Sequence, residues 1–158
     1  GLFFKFLYQM HKLITLLFTG KNINFGNYSC LTKKDANIIS SKPSLWSSYS
    51  GTVKKFVKNF NEINSTRGLR YFGPSKMSFF KLLIHSLSIV AVFKLQVILR
   101  SLIIIFALYF TNFFSQNIEN AIYFLLIIFN LVIFLISLRE SEKGLTESQN
   151  NLSSIDNQ

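Results

Sequence analysis

The chain has 158 residues, of which 49% are apolar and 18 are phenylalanine, a high share for a soluble domain. Its net charge of +10 is unevenly distributed, because residues 1–100 hold 15 of the 17 lysines and arginines and carry +13, whereas residues 101–158 carry −3. The single cysteine, Cys30, excludes an internal disulfide and a zinc site built from several cysteines. A basic first part indicates an anionic partner: a membrane leaflet, a phosphorylated ligand or nucleic acid. Nucleic acid ranks last, since the sequence contains no nucleic-acid-binding motif.

The first segment, residues 1–18, is apolar apart from residues that recur at helical spacing, Lys5, Gln9 and Lys12. It resembles a signal peptide only superficially, because polar residues interrupt the apolar run and no small-residue cleavage site follows. We therefore expect an amphipathic helix. Whether that helix lies on a membrane surface or packs against its own domain stays open at this stage.

The next segment predicts short helices. Thr32 and Asp35 resemble a capping box, with Thr32 as the N-cap and Asp35 reaching back, and a short helix through residue 39 should follow. The Pro-Ser pair at 43–44 predicts the start of a second helix, over residues 45–56, whose lysines form a solvated face. Residues 60–66 alternate in part and predict a single strand.

Residues 67–77 separate the basic part from the apolar part. This junction contains three cations, Arg67, Arg70 and Lys76, and a Gly-Pro-Ser break after which Ser75 suits the N-cap of the following helix. A helix N-terminus flanked by cations favours an anion, because its free N–H groups and its dipole are positive. The alternative is the positively charged boundary of a membrane segment, which requires no ligand.

Residues 79–93 predict an apolar helix with one polar stripe, formed by Lys81, His85 and Ser88. Fifteen residues span about 22 Å as a helix, less than the roughly 30 Å of the hydrocarbon core, so we expect an interfacial or partly inserted helix. His85 and the other histidine, His11, are far apart in the sequence and show no metal-ligand spacing.

Two later stretches are apolar and long enough to cross a membrane, residues 97–114 and 121–138. Arg100 lies near the start of the first and can extend to the headgroups, whereas Asn130 in the second can bond across the hairpin. The connecting residues 111–120 contain no lysine or arginine. The positive-inside rule therefore places both ends of the chain in the cytoplasm.

From the residues alone, the fold class is a mainly α membrane protein: amphipathic and juxtamembrane helices, a transmembrane hairpin within residues 96–138, and a disordered polar tail over residues 139–158. No P-loop, dinucleotide-binding glycine motif, zinc-protease motif or nucleophile elbow is present. These features fit a non-catalytic membrane anchor or interaction subunit as one functional hypothesis.

A second hypothesis comes from a resemblance. The motif Arg70-x-x-Gly73-x-Ser75-Lys76, followed by an amphipathic run and a membrane hairpin, resembles the end of a membrane-bound family 2 glycosyltransferase of the GT-A type. That group includes the dolichyl- and polyprenyl-phosphate sugar transferases. Upstream, residues 1–18 are similar to the family's amphipathic helix, residues 25–31 to its acceptor loop, and residues 33–39 to the helix behind that loop. The resemblance covers about residues 1–138.

The resemblance implies that residues 1–66 are the carboxy-terminal portion of a cytoplasmic α/β GT-A domain and residues 67–95 its juxtamembrane motif and interfacial helix. The implied reaction moves a sugar from a nucleotide-sugar donor to a lipid-linked or glycan acceptor at a membrane, such as a bacterial inner membrane. A divalent metal, Mg or Mn, would neutralise the diphosphate leaving group in the complete enzyme. The Asp-x-Asp donor site is absent from this sequence, so we expect the carboxy-terminal part of a larger enzyme, inactive alone and without a metal of its own.

The resemblance also implies site residues. Candidates for phosphate or acceptor contacts are Arg67, Arg70, Ser75 and Lys76. Candidates for the acceptor loop are Gly26, Asn27, Tyr28 and Ser29. Many lipid-phosphate transferases have Gly-Asp-Phe-Arg-Leu here, and this loop lacks both the acid and the cation, so a polyprenyl-phosphate acceptor does not follow. The lipid bilayer is the expected partner, nucleic acid is not, and a homo-oligomer stays open.

Overall fold

The structure is a computed structural model that describes residues 2–23, 29–59, 61, 63, 78–111 and 113–156. In these ranges the chain is helical and contains no strand, which confirms the mainly α class. The helices are α1 (Leu2–Thr19), α2 (Lys33–Ser40), a 3₁₀ helix (Pro43–Trp46), α3 (Tyr49–Phe56), α4 (Phe79–Ala91), α5 (Lys94–Thr111), α6 (Gln116–Ser137) and α7 (Glu142–Asp156). The strand predicted over residues 60–66 lies outside the described residues except for Asn61 and Ile63, which are irregular.

The predicted helix over the first segment is present as α1, and Gly20 directly follows its last residue. The Gly20 N–H donates to the Leu16 carbonyl at 2.8 Å, and its φ of +69° lies in the left-handed region. Glycine adopts this conformation without the steric cost that a side chain would add, which makes it the usual residue after a helix end.

The capping box at the start of α2 is confirmed as a cap. The Thr32 hydroxyl accepts from the Asp35 N–H at 3.1 Å and donates to the Asp35 carboxylate at 2.7 Å. The carboxylate therefore reaches back to the threonine hydroxyl, which already satisfies the helix N-terminus.

The second predicted helix, over residues 45–56, is divided in the structure. Residues Pro43–Trp46 form a 3₁₀ helix, and α3 begins at Tyr49 after the N-cap Ser48, whose hydroxyl accepts from the Gly51 N–H at 3.2 Å. The division follows from the serines: a side chain that can cap a new helix competes with continuation of the old one.

The α2–α3 unit, residues 29–59, has a small core. Its buried apolar side chains are Ile39, Val53 and Val57. The other buried side chains of this unit belong to serine and threonine. Thr52 has no exposed surface, and its hydroxyl donates to the Ser44 hydroxyl at 3.0 Å and the Ser48 carbonyl at 2.7 Å.

Helices α5 and α6 are long and apolar enough to cross a membrane, which confirms two candidate spans. Their 18 and 22 residues correspond to about 27 and 33 Å at 1.5 Å per residue, close to the thickness of the hydrocarbon core. Most side chains in the spans point outward, since only 11% and 17% of the two apolar windows are buried. Apolar side chains that cover the outside of a helical pair are typical of a surface in contact with lipid.

The juxtamembrane helix α4 begins at Phe79 after the N-cap Ser78, whose hydroxyl accepts from the Lys81 N–H at 3.4 Å. This corrects the prediction that Ser75 caps this helix; Ser75 itself lies outside the described residues. At its other end, a two-residue turn at Val92 and Phe93 connects α4 to α5. The turn ends the predicted helix over residues 79–93 two residues early.

Four helices, α1, α4, α5 and α6, share one apolar core, which we call the membrane bundle. The buried members of this core are Phe18, Val90, Ala91, Val97, Leu126 and Ile133. Both amphipathic helices therefore pack against the hairpin, so that α1 is a packed helix of the bundle and its outer apolar residues remain exposed.

The tail differs from the predicted disorder, because residues Glu142–Asp156 form helix α7. The Ser141 hydroxyl accepts from the Gly144 N–H at 3.0 Å. It therefore provides an acceptor for an N–H group of the first turn that has no partner within the helix. Polar composition alone did not reveal this cap.

Candidate functional site at the basic end of the hairpin

Helix α3 docks on the end of α4 through a glycine. A Cβ on Gly51 would lie 3.0 Å from Val92 Cγ2 and 3.2 Å from the Ile89 carbonyl oxygen. Both distances are shorter than ordinary van der Waals contact, so a residue without a side chain permits this approach. The α2–α3 unit is thereby fixed to the turn that leads into the first span.

A lysine strengthens the same contact. Lys55 donates from Nζ to the Val92 carbonyl at 2.6 Å. Val92 is the C-cap of α4, where carbonyls lack intrahelical partners and a cation is favoured by the helix dipole. Burial lowers the pKa of Lys55, the Glu140 carboxylate offsets part of this effect, and the charge of Lys94 adds to it.

An ion pair closes this end of the hairpin. Lys94, the first residue of α5, donates to Glu140, three residues after the end of α6, at 2.9 Å. We call the region around Lys55, Lys94 and Glu140 the basic end of the hairpin. Charged groups at one end of two apolar helices are typical of the boundary between hydrocarbon and headgroups.

Arg100 has a structural partner that the sequence did not reveal. Its Nη1 donates to the Leu17 carbonyl at 3.0 Å, and its guanidinium lies against Gly20, where it would clash with a Cβ. The guanidinium binds the free carbonyl end of α1, and the extension of Arg100 to the headgroups stays a prediction. Beside it, the rings of Phe18 and Phe129 lie 4.6 Å apart and join α1 to α6.

The predicted bond across the hairpin is confirmed. Asn130 on α6 donates from Nδ2 to the Ser101 hydroxyl on α5 at 2.8 Å and to the Leu126 carbonyl at 2.8 Å. This polar pair sets the register of the two helices in an otherwise apolar contact.

The chain's two histidines, far apart in the sequence, come within electrostatic range where α1 packs on α4. Burial lowers the pKa of His11, and the charge of His85 lowers it further. The His11 Nδ1 also lies 3.5 Å from the Thr15 hydroxyl. In the part of the chain that the structure describes, no three histidine, cysteine, aspartate or glutamate side chains converge on a site for a metal ion.

Most predicted site residues lie outside the described residues: Arg67, Arg70, Ser75, Lys76, Gly26, Asn27 and Tyr28. The exception is Ser29, the last candidate of the acceptor loop, whose hydroxyl forms a short hydrogen bond with the Tyr49 hydroxyl of α3. Sequence reasoning missed Gly51, Lys55 and Arg100 as docking residues. A glycine and a lysine one turn apart, ahead of an apolar helix, are common in solvated helices and do not specify a partner.

Comparisons with protein-family models, with curated proteins and with solved structures found no match for this chain. The geometry above therefore carries the functional argument. Its main feature is a small helical unit fixed by two adjacent contacts, at Gly51 and Lys55, to one end of a hairpin that is apolar enough to span a membrane.

Proposed function

We propose that this chain is the membrane-embedded, carboxy-terminal portion of a glycosyltransferase that moves a sugar from a nucleotide-sugar donor to a membrane-proximal acceptor, lipid-linked or glycan. The proposal rests on the order of segments that resembles the family 2 enzymes. In it the hairpin crosses the membrane twice with both ends cytoplasmic, and the α2–α3 unit carries the acceptor loop at the cytoplasmic face.

The observation that carries the proposal is a continuous path of contacts from the acceptor loop to the hairpin. Ser29 at the end of the loop bonds Tyr49 on α3, and Gly51 and Lys55 of the same helix contact Val92 at the turn between α4 and α5. Ser29 is thereby linked through α3 to the turn that precedes the first candidate span. An enzyme that acts on a membrane-proximal acceptor needs its acceptor loop close to the membrane surface.

The junction supplies the chemistry in this proposal. Arg67, Arg70 and Lys76 would hold an anionic group of the acceptor or donor, because charge-assisted hydrogen bonds to phosphate are strong and arginine's planar fork matches phosphate geometry. Ser75 would add a neutral donor beside them. A divalent cation, Mg or Mn, would supply charge neutralisation at the leaving diphosphate and belongs to the donor-binding half.

The test uses the complete reading frame that encodes this chain. Membranes containing that protein are incubated with a panel of labelled nucleotide sugars, and transfer to membrane lipid or glycan is measured together with membrane insertion. We expect Arg70→Lys and Ser75→Ala each to reduce transfer about tenfold or more, since one charge-assisted contact contributes about 1.5–3 kcal/mol, while insertion stays unchanged. Lys21→Arg, a conservative exchange outside the junction, serves as the control.

Two outcomes contradict the proposal. If sugar transfer is unchanged by both junction substitutions, residues 67–77 do not bind substrate and only form the positively charged boundary of the membrane segment. Absence of transfer from every nucleotide sugar, with the protein inserted, favours the non-catalytic membrane anchor. We further expect the 158-residue chain alone to show no transfer, and turnover by this chain would contradict the assignment of the donor site to another part of the enzyme.

A further inference from the structure

The outer face of the α2–α3 unit combines cations with exposed aromatic surface. Residues 36–61 contain four lysines, at positions 42, 54, 55 and 58, and no acidic residue. The chain's single tryptophan, Trp46, lies among them at the end of the 3₁₀ helix and is 55% exposed. We use the name Trp46 surface for Trp46, for Lys42 with the Phe56 ring that its ammonium group contacts, and for Lys58, two residues after Phe56.

A path of contacts relates this surface to the hairpin. The Lys42 Nζ lies 5.1 Å from the centre of the Phe56 ring, and the Lys55 Nζ lies 5.4 Å from the same centre. Lys55 in turn donates to the Val92 carbonyl at 2.6 Å, directly before the first span. Trp46 is the last residue of the short 3₁₀ helix that follows Lys42. Direct contacts therefore link Lys42 and Phe56 to the turn that precedes the first candidate span.

We propose that the Trp46 surface lies in the headgroup layer of the leaflet at the basic end of the hairpin, where its lysines bind anionic phospholipid headgroups and the indole anchors the unit. The headgroup layer extends about 5–7 Å beyond the hydrocarbon on each side, a thickness that a docked helix cannot avoid entering. Tryptophan favours this layer because its ring is apolar and its N–H needs a polar partner.

The charge pattern selects anionic lipid as the occupant. A cluster of lysines beside a membrane segment is attracted to anionic headgroups, each lysine contributing about fivefold to the association. The loop at the far end of the hairpin offers a contrast, because residues 112–120 contain no lysine or arginine. This inference needs insertion of the hairpin and is independent of sugar transfer, so the two proposals fail separately.

The chain's only tryptophan makes the test direct, since its fluorescence reports on Trp46 without labelling. The full chain is reconstituted into vesicles of phosphatidylcholine alone or with phosphatidylglycerol. The vesicles contain lipids with a bromine or nitroxide quencher either near the headgroup or near the chain end. We expect anionic lipid to shift emission to shorter wavelength, with stronger quenching by the shallow probe than by the deep one.

Three variants sharpen the test. The double substitution Lys42→Gln and Lys58→Gln should lower the association of the surface with anionic vesicles about 25-fold, from two factors of about five, whereas Lys143→Gln on α7 should leave it unchanged. Moving the reporter to the far loop, with Trp46→Phe and Phe113→Trp, should give quenching that does not depend on anionic lipid.

The result that overturns the proposal is equally direct. If the far-loop reporter is quenched by lipid while Trp46 stays accessible to aqueous iodide and insensitive to phosphatidylglycerol, the hairpin is inserted and the surface faces solution. Trp46 emission that shifts with protein concentration in phosphatidylcholine alone would assign the surface to a second copy of the chain and also overturn the lipid proposal.

Discussion

In the membrane bundle the buried side chains are mainly branched aliphatic residues and phenylalanine, whereas in the α2–α3 unit most of the buried side chains are serine and threonine. The bundle also exposes many large apolar residues, such as Phe106 at 66% and Ile127 at 63%, and the unit exposes lysines. Helices in lipid gain no hydrophobic free energy when they associate, so close packing and a few interhelical hydrogen bonds hold such a bundle together. In the small unit, hydroxyl groups cap the helices and satisfy one another.

The two regions therefore depend on different forces, and they are in contact at the end of α4 and the turn at Val92. Gly51 provides the close packing there, and Lys55 provides the polar bond. This predicts that substitutions in the bundle affect insertion, that substitutions at the turn affect docking, and that the two effects are separable.

The largest effect should come from a charge in the middle of α6. Ile127→Asp should reduce insertion by about 2.5–3.5 kcal/mol, because Ile127 faces outward and would carry the carboxylate into the hydrocarbon. At an exposed site of a water-soluble bundle the same change has an effect within about ±0.5 kcal/mol. Membrane extraction of the variant, with Asn37→Asp on α2 as control, distinguishes the two. Unchanged insertion of Ile127→Asp would contradict a spanning α6.

The next largest effect concerns the docking of α1. Arg100→Leu should weaken it by about 1.5–3 kcal/mol through loss of the charged bond to the Leu17 carbonyl. Gly20→Ala should act in the same direction. The backbone φ of +69° at this position is unfavourable for alanine, and the alanine Cβ would clash with the Arg100 guanidinium. Hydrogen exchange of the α1 amides measures both. We expect an Arg139→Leu control to keep the wild-type protection. If Arg100→Leu and Gly20→Ala also keep it, the bond from Arg100 does not stabilise the docking of α1.

At the turn, Gly51→Ala should weaken docking of the α2–α3 unit by about 1 kcal/mol. Overpacking costs about 1–3 kcal/mol, and the better helix propensity of alanine offsets up to about 1 kcal/mol of that. Gly144→Ala on α7 is the matched control, since a Cβ there approaches the Ser141 side chain alone, at 3.3 Å or more, and the propensity gain should dominate. Protease susceptibility of the segment between α3 and α4 reports docking. Equal behaviour of the two alanine variants would show that Gly51 is not a close contact.

The smallest effect is expected inside the hairpin. A double-mutant cycle with Asn130→Leu and Ser101→Ala should give a coupling of about 0.6 kcal/mol, the typical value for a hydrogen bond between membrane helices. Unfolding measured in detergent or bicelles provides the four stabilities. Additive effects, with no coupling, would mean that the bond between the two side chains does not form.

The sequence predicted the helices of the bundle and the start of α2 well, because apolar runs and the capping residue Thr32 act locally. It assigned the cap of α4 to Ser75 when Ser78 has that role, since both serines follow a break and local pattern does not separate them. It also missed Ser48, which divides one predicted helix in two, and the cap at Ser141.

Contacts between distant segments were harder to predict. The bond of Arg100 to α1 and the approach of Gly51 to Val92 join residues that are 83 and about 40 positions apart, and nothing near either residue indicates its partner. The bond from Asn130 was predicted because a polar side chain in an apolar span has few alternatives. Of the site residues that the resemblance implied, Ser29 alone lies among the described positions, so the others stay predictions.

The central claim is that the α2–α3 unit, the basic end of the hairpin and the tail lie on one face of the membrane. The loop that connects α5 to α6 lies on the other face. Cysteine accessibility in sealed vesicles tests it, since the exposed Cys30 is the natural reporter of the α2–α3 unit. Single-cysteine variants Ser148→Cys and Ser115→Cys, in a background with Cys30→Ser, report the tail and the loop. We expect an impermeant reagent to label Cys30 and position 148 from one side of the vesicle membrane and position 115 from the opposite side. Labelling of all three from the same side would contradict it.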